Sequence, residues 1–306
     1  MLRGIAIGLF AAPVLHLLTY RRRMHRTRSA EAARQPVGSD GIVSGAESIT
    51  LHASETHAAL VIHGFGDTPQ SVRLLSDHLH REHGWTVRAP LLPGHGRGMA
   101  DFDRHGSNAW RDTVQREHAA LRSRYQTVVL VGLSMGGALA TIEAAAHPDL
   151  KALVLLAPYL TPPASAERLA PAAGVINLMV PYLAGGDRTR SIFDPVARSQ
   201  TLGIAAAPPK RVRDLVGVAH DARFAAAAVH APTLLIHSRT DYRIPLVLAE
   251  RHAALFTAAE PCEQRWLDGC GHVITVDYRR DEVWAATAAW LARHAGAPGT
   301  ATLTTG

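Results

Sequence analysis

The sequence predicts an α/β architecture, in which a mostly parallel central sheet carries helices on both faces and an apolar helix precedes it. Three observations point there. Short apolar runs alternate with longer amphipathic ones between residues 58 and 293, the rhythm of strand, helix, strand that builds a parallel sheet. That rhythm breaks once, across residues 158–232, where prolines at 158, 162, 163, 171, 181, 195, 208 and 209 mark an insertion. The chain also opens on GIAIGLFAAPVLHLLTY, seventeen residues from Gly4 to Tyr20 with only His16 and Thr19 markedly polar.

That opening stretch is at the short end of what crosses a bilayer, and RRRMHRTR follows it directly. It reads as an uncleaved membrane anchor, ahead of a helix packed on the protein's own surface or a secretory signal. A signal would want a small-residue cleavage site right behind the apolar run, and the only such triplet, Ala30–Ala32, lies beyond five arginines. The arginines place the large domain on the cytoplasmic side. Residues 29–45 read as a linker, so 1–45 form an anchor with a basic linker.

The strands expected next are AALVIH (58–63), WTVRAP (85–90), VVLVG (128–132), ALVLLA (152–157), TLLIHS (233–238) and EQRWL (263–267). The helices between them cover 69–82, 107–124, 134–146, 245–255 and 279–293. The core is therefore 46–157 with 208–295, the insertion 158–207, and the GAPG and ATLTTG end, 296–306, a disordered tail.

Composition removes several functions. The net charge is +6, but seven arginines against Glu31 alone put all of it in residues 1–34, so the rest of the chain is balanced and offers nucleic acid no basic footprint. The two cysteines, Cys262 and Cys270, bracket an expected strand. Eight steps of extended chain cover up to about 26 Å, too far for a disulfide's Cα separation of about 7 Å or less. Neither cysteine has metal-ligand spacing, and His78, His80 and His83 fall off a common helical face, so no metal site is expected.

The chemistry lies in GLSMG, Gly132–Gly136, which sits between VVLV and GALATIEAAA. A serine between glycines at a sharp strand-to-helix turn is a nucleophile elbow. Its hydroxyl is thrust clear of the sheet, and side chains two positions away would collide with neighbouring elements. A serine needs a base to take its proton and an acid to hold the base's tautomer. His272 follows the strand EQRWL on a loop at the C-terminal edge of the sheet, and Asp241 follows TLLIHS at the same edge, where open α/β sheets gather their functional groups. Asp241 could instead cap a turn, and Asp268 is its rival as the acid, although it shares the histidine's own loop. Two backbone N–H groups are needed for the developing oxyanion. Met135, after the serine, supplies one; HGFGD, His63–Asp67, follows an early strand and offers the Phe65 N–H. His63 and the PGHG stretch, Pro93–Gly96, read as structured loop near the site.

HGFGDTPQS, APLLPGHG, GLSMGG, APTLLIHSRTDYRIP and GCGHVITVD, in that order across residues 58–293, resemble the α/β-hydrolase superfamily, and within it the bacterial carboxylesterase and monoacylglycerol lipase group. The resemblance implies a triad of Ser134, Asp241 and His272, oxyanion donors at Phe65 and Met135, and a cap made of the insertion. Residues 1–45 fall outside it, and Cys270 stands where such enzymes often carry serine. Serine at the elbow separates the chain from the dehalogenases and epoxide hydrolases of this fold, which use aspartate.

The expected activity is hydrolysis of a carboxylic ester, a small-molecule or lipid substrate, through an acyl-enzyme on Ser134, with no metal or organic cofactor. Alternatives are an acyltransferase, thioesterase or peptidase on the same scaffold, or a non-catalytic membrane-anchored binding module. In the insertion, VINLMVPYL (175–183) is nearly unbroken apolar sequence. Some of it, Met179 and Leu183 in particular, is expected to face the site and seat an acyl chain.

Overall fold

A computed structural model of the chain describes residues 2–298, with side chains from Pro13 onward; residues 299–306 of the tail expected at 296–306 lie outside the described residues. The chain begins with helix α1 (Leu2–Arg34) and continues through β1 (Ile49–Leu51), β2 (His57–Ile62), α2 (Gln70–Arg81), β3 (Thr86–Ala89), α3 (Met99–Arg104), α4 (Ser107–Arg122), β4 (Thr127–Leu133), α5 (Met135–Ala145) and β5 (Leu153–Leu156). The insertion contributes α6 (Ala164–Met179), β6 (Leu183–Ala184), α7 (Arg188–Ser191), α8 (Pro195–Gln200) and β7 (Ala206–Ala207). Then come α9 (Pro209–Ala225), β8 (Thr233–Ser238), α10 (Leu246–Ala249), β9 (Cys262–Leu267) and α11 (Arg280–Ala295).

Seven strands form one sheet in the order β1-β3-β2-β4-β5-β8-β9, all neighbours parallel except the antiparallel edge pair β1–β3. Both faces are covered, which is why the strands read as unbroken apolar runs instead of alternating ones. On one face Leu60, Ile62, Leu130 and Leu155 pack against Trp110 of α4 and Leu139 of α5. On the other, Val61, Val131 and Val154 meet Leu75 of α2 and Trp290 of α11.

Helix α10 stops after one turn, whereas the pattern predicted helix to 255. The Ala249 carbonyl accepts from His252 N at 3.0 Å, three residues on, and from Gln264 Nε2 on β9 at 2.7 Å, so the chain tightens and goes on as a 3-10 turn at Ala253–Leu255.

The N-terminus requires the largest correction. Among the described residues no helix is long and apolar enough to cross a membrane. The apolar part, residues 4–20, spans about 26 Å of helix against a hydrocarbon core of about 30 Å, with arginines at both ends. The helix also continues into the expected 29–45 linker as far as Arg34, helped by the alanines at 30, 32 and 33 and the Glu31–Arg34 pair one turn apart. Its second half lies on the protein's own surface. Met24 packs with Met99, Tyr182 and Ala206; Arg28 donates to the Tyr182 hydroxyl at 2.7 Å and faces Asp103 at 3.6 Å. Arg34 donates to the Gly203 carbonyl at 2.7 Å and Gln35 to the Thr201 carbonyl at 3.4 Å. Val14, Leu15, Leu17 and Leu18 are exposed, and His16 Nε2 lies 3.0 Å from the Leu178 carbonyl at the end of α6.

Candidate active site

Ser134 stands between the last residue of β4 and the first of α5, with φ 54° and ψ −116°, a backbone region a side chain rarely adopts. Its N–H is held by the Leu156 carbonyl at 2.9 Å, and its own carbonyl accepts from Tyr159 N at 3.0 Å. The flanking glycines are sterically required. A Cβ on Gly132 would run into the Gly136 backbone, and one on Gly136 into the Ile62 carbonyl of the neighbouring strand.

Asp241 and His272 arrive from the loops after β8 and β9. Asp241 Oδ1 accepts from the N–H groups of Arg243 and Ile244 at 2.8 and 3.1 Å, and its Oδ2 lies 2.7 Å from His272 Nδ1. Burial pushes the Asp241 carboxyl up, but the His272 imidazole and the two backbone N–H groups outweigh it and hold the pKa below the usual carboxylate range. An ionised carboxylate only accepts, so Nδ1 carries the imidazole proton. Nε2 is then the acceptor for the Ser134 hydroxyl, 2.9 Å away. The rival carboxylate, Asp268, has a side chain 73% exposed and faces Arg239 at 3.7 Å.

A buried carboxylate that received no role from the sequence braces this arrangement. Asp277 accepts from Gly271 N at 2.6 Å, directly before His272, and from Phe193 and Asp194 N of the insertion, both at 2.8 Å. Its only sequence signal was its place in the GCGHVITVD stretch. His63 is likewise occupied: its Nδ1–H donates to the Gly64 carbonyl at 2.9 Å, and its Nε2 accepts from Leu92 N at 3.1 Å. Burial lowers its pKa to about 4, so it stays neutral.

The Ser134 hydroxyl opens on a cavity of about 140 Å³. The Phe65 and Met135 N–H groups have no hydrogen-bond acceptor among the described residues, and Phe65 lines the cavity. Apolar lining comes from Leu133, Ile192, Ile204, Leu215 and Val273, and two arginines, Arg188 and Arg243, also reach it. The structure does not bring Met179 or Leu183 to the cavity. Helix α6 buries the small residues Ala170 and Ala173 and packs on α9, which leaves Met179 60% exposed on its outer side. Leu183 pairs with Ala207 in the two-stranded ribbon of β6 and β7.

One group has the residue types of a metal site: His118, Glu143 and His147. Arg122, however, donates from Nη1 to His147 Nδ1 at 2.8 Å. The Nε2 of His147 therefore carries the proton that Glu143 accepts at 3.0 Å, and the three form a hydrogen-bonded ion cluster without a free ligand lone pair on His147.

The sequence model of the family described as "Serine aminopeptidase, S33" matches residues 54–279. The chain is 27% identical over 257 residues to a thermostable monoacylglycerol lipase of Bacillus sp. (strain H-257), covering 83% of this chain and 98% of that one. It is 25% identical over 230 residues to a carboxylesterase of Bacillus subtilis (strain 168), covering 74% and 88% respectively. A solved structure described under "LipS and LipT, two metagenome-derived lipolytic enzymes" superposes with a TM-score of 0.71 at 25% identity, covering 83% of this chain and all of that one.

Proposed function

Because the chain belongs to the serine aminopeptidase S33 family of α/β hydrolases, we propose that it hydrolyses carboxylic esters through an acyl-enzyme on Ser134. The observation that carries this reading is the unbroken line of hydrogen bonds from Asp241 through His272 to Ser134, which ends at a cavity beside two unused N–H groups. In this reading residues 158–207 form a cap over a core of 46–157 and 208–295.

Ser134 Oγ attacks the ester carbonyl carbon as its proton passes to His272 Nε2. The carbonyl oxygen becomes negative and accepts from the Phe65 and Met135 N–H groups; each such donor is worth about 3 kcal/mol in the transition state. Asp241 keeps Nδ1 protonated and offsets the imidazolium charge. Collapse expels the alcohol, which takes the proton from Nε2, and the acyl group stays on Oγ. Water then gives a proton to the same nitrogen as it attacks the acyl carbon; the bond from that carbon to Oγ breaks, Oγ takes the proton back from Nε2, and the acid is released.

The family description names a peptidase activity, but a substrate's free ammonium terminus would meet Arg188 and Arg243 in the cavity. The relatives named as monoacylglycerol lipase and carboxylesterase favour the ester reading. The outward apolar side chains of α1 and α6 support contact with a lipid surface from one side, without crossing it.

The test is p-nitrophenyl butyrate turnover together with labelling by a fluorophosphonate. The wild type should do both. Ser134→Ala should lose labelling and keep less than about a hundredth of the activity, and Asp241→Asn should lose at least about a hundredfold in kcat. Asp268→Asn should keep its activity. A Ser134→Ala variant that retains turnover overturns the mechanism; an Asp268→Asn loss in place of the Asp241→Asn loss moves the acid.

A further inference from the structure

The cavity beside Ser134 has an apolar part, from Leu133, Ile192, Ile204, Leu215 and Val273, and a polar part that two guanidinium groups enter. Arg188 begins α7 in the insertion, and Arg243 lies in the loop behind β8, two residues past Asp241. Neither has a carboxylate oxygen within 4.0 Å among the described residues. Each is nevertheless held in place. Arg243 Nε donates to Ser191 Oγ at 3.3 Å, and the guanidinium lies over the Tyr242 ring, 5.1 Å from its centroid. It rests against Gly186, where even a Cβ would sit 2.7 Å from Arg243 Cζ, so the missing side chain makes its room. Arg188 is half-buried and donates to the Gly203 carbonyl. Burial and the nearby Arg34 act against its charge, while Glu31 and Asp67 act in its favour. Asp67 is the one acidic side chain among the described residues that line the cavity; its Oδ1 is taken by Thr68 N at 2.8 Å, and burial raises its pKa.

Two oriented, partly buried guanidinium groups without a carboxylate in contact are costly unless something negative meets them. A neutral glyceride or alkyl ester brings neither of them a charged partner, whereas a carboxylate or phosphate accepts the forked N–H pairs that guanidinium presents. We propose that Arg188 and Arg243 form an anion subsite, and that the ester cleaved at Ser134 carries a carboxylate or phosphate on its acyl or its alcohol part. This rests on the ester-hydrolase reading. Hydrolysis balances as ester plus water giving a carboxylate, a proton and an alcohol, with the anionic group unchanged.

Two matched pairs of probes separate the two sources of charge. The mono-p-nitrophenyl ester of glutaric acid against p-nitrophenyl valerate tests a charge on the acyl side. 1-Butyrylglycerol 3-phosphate against 1-butyrylglycerol tests the alcohol side. In at least one pair the charged ester should have a kcat/KM at least about tenfold higher, the weight of one well-placed charged contact. Arg188→Gln and Arg243→Gln should each cut that ratio by about tenfold, while Arg190→Gln, which removes a neighbouring charge that stacks on Tyr242 outside the cavity, should preserve it. A wild-type ratio at or below one in both pairs, or a ratio that neither cavity substitution changes, overturns the subsite. Should either variant fail to fold, the wild type decides. Free glutarate or glycerol 3-phosphate should compete against p-nitrophenyl valerate, and less so as NaCl rises; no competition by either overturns it. Absence of turnover on every ester together with absence of fluorophosphonate labelling would instead reject the ester-hydrolase reading.

Discussion

Ser134 keeps its conformation against its own preference, at a cost of about 1–3 kcal/mol for a residue held in a sparsely populated backbone region. The Leu156 and Tyr159 contacts hold it there. A second residue-level cost is spread over three histidines. Burial lowers the pKa of His63 and His252 to about 4 and that of His237 to about 3. Both ring nitrogens of His237 and of His252 are without a hydrogen-bond partner among the described residues. All three are neutral when folded, and each would take up a proton near 6.5 when unfolded. Below that pH the unfolded chain binds more protons than the folded one, so the stability present above about pH 6.5 drains away as the pH falls toward 4. His252→Leu should flatten this dependence. Chemical denaturation at steps from pH 7 to 4.5 should show a slope smaller by up to about 1.4 kcal/mol per pH unit than in the wild type. An unchanged slope would mean that the imidazole is protonated in the fold or already sheltered in the unfolded chain.

At the scale of elements, the parallel strands were legible to within one or two residues because each is an apolar run covered on both faces. β1 was missed, since three residues at an edge are too short to show a period. No helix was expected among the prolines between residues 158 and 209, yet several of these start helices: Pro163 precedes α6, Pro195 opens α8 and Pro209 opens α9. At a first helical position proline loses nothing, because its absent N–H would have had no partner there. In α1, hydropathy revealed the apolar first half and gave no sign that Met24, Arg28 and Arg34 grip the rest of the molecule. Two deletions separate those halves. Removing residues 2–18 takes away the exposed leucines and should leave the melting temperature within about 2 °C, while co-sedimentation with phosphatidylglycerol vesicles drops at least about threefold. Removing residues 2–34 also breaks the contacts to Tyr182, Asp103 and Gly203 and should lower the melting temperature by roughly 5 °C. Equal melting of both deletions would show that those contacts are idle.

Across the whole molecule, Ser134, Asp241 and His272 were readable because a parallel sheet sends every strand's C-terminal end to one edge, and β4, β8 and β9 lie within the stretch β4-β5-β8-β9. Arg188 and Arg243 were not, because no period relates a residue of the insertion to one behind β8. The Gly203 carbonyl, on the cavity wall, takes hydrogen bonds from Arg188 on one side and from Arg34 of α1 on the other. A wall held by two hands makes its tenant and its doorkeeper accountable to each other. Whatever factor seating a guest adds to the grip of the N-terminal helix, that helix must return to the guest's residence, since equilibrium coupling is reciprocal. Hydrogen exchange would register the exchange of favours: amides of residues 24–34 should trade their protons more slowly once a phosphonate sits on Ser134, and the chain without residues 2–34 should hold a reversible inhibitor less tightly. If both quantities stay put, the shared carbonyl is a hinge that carries no message.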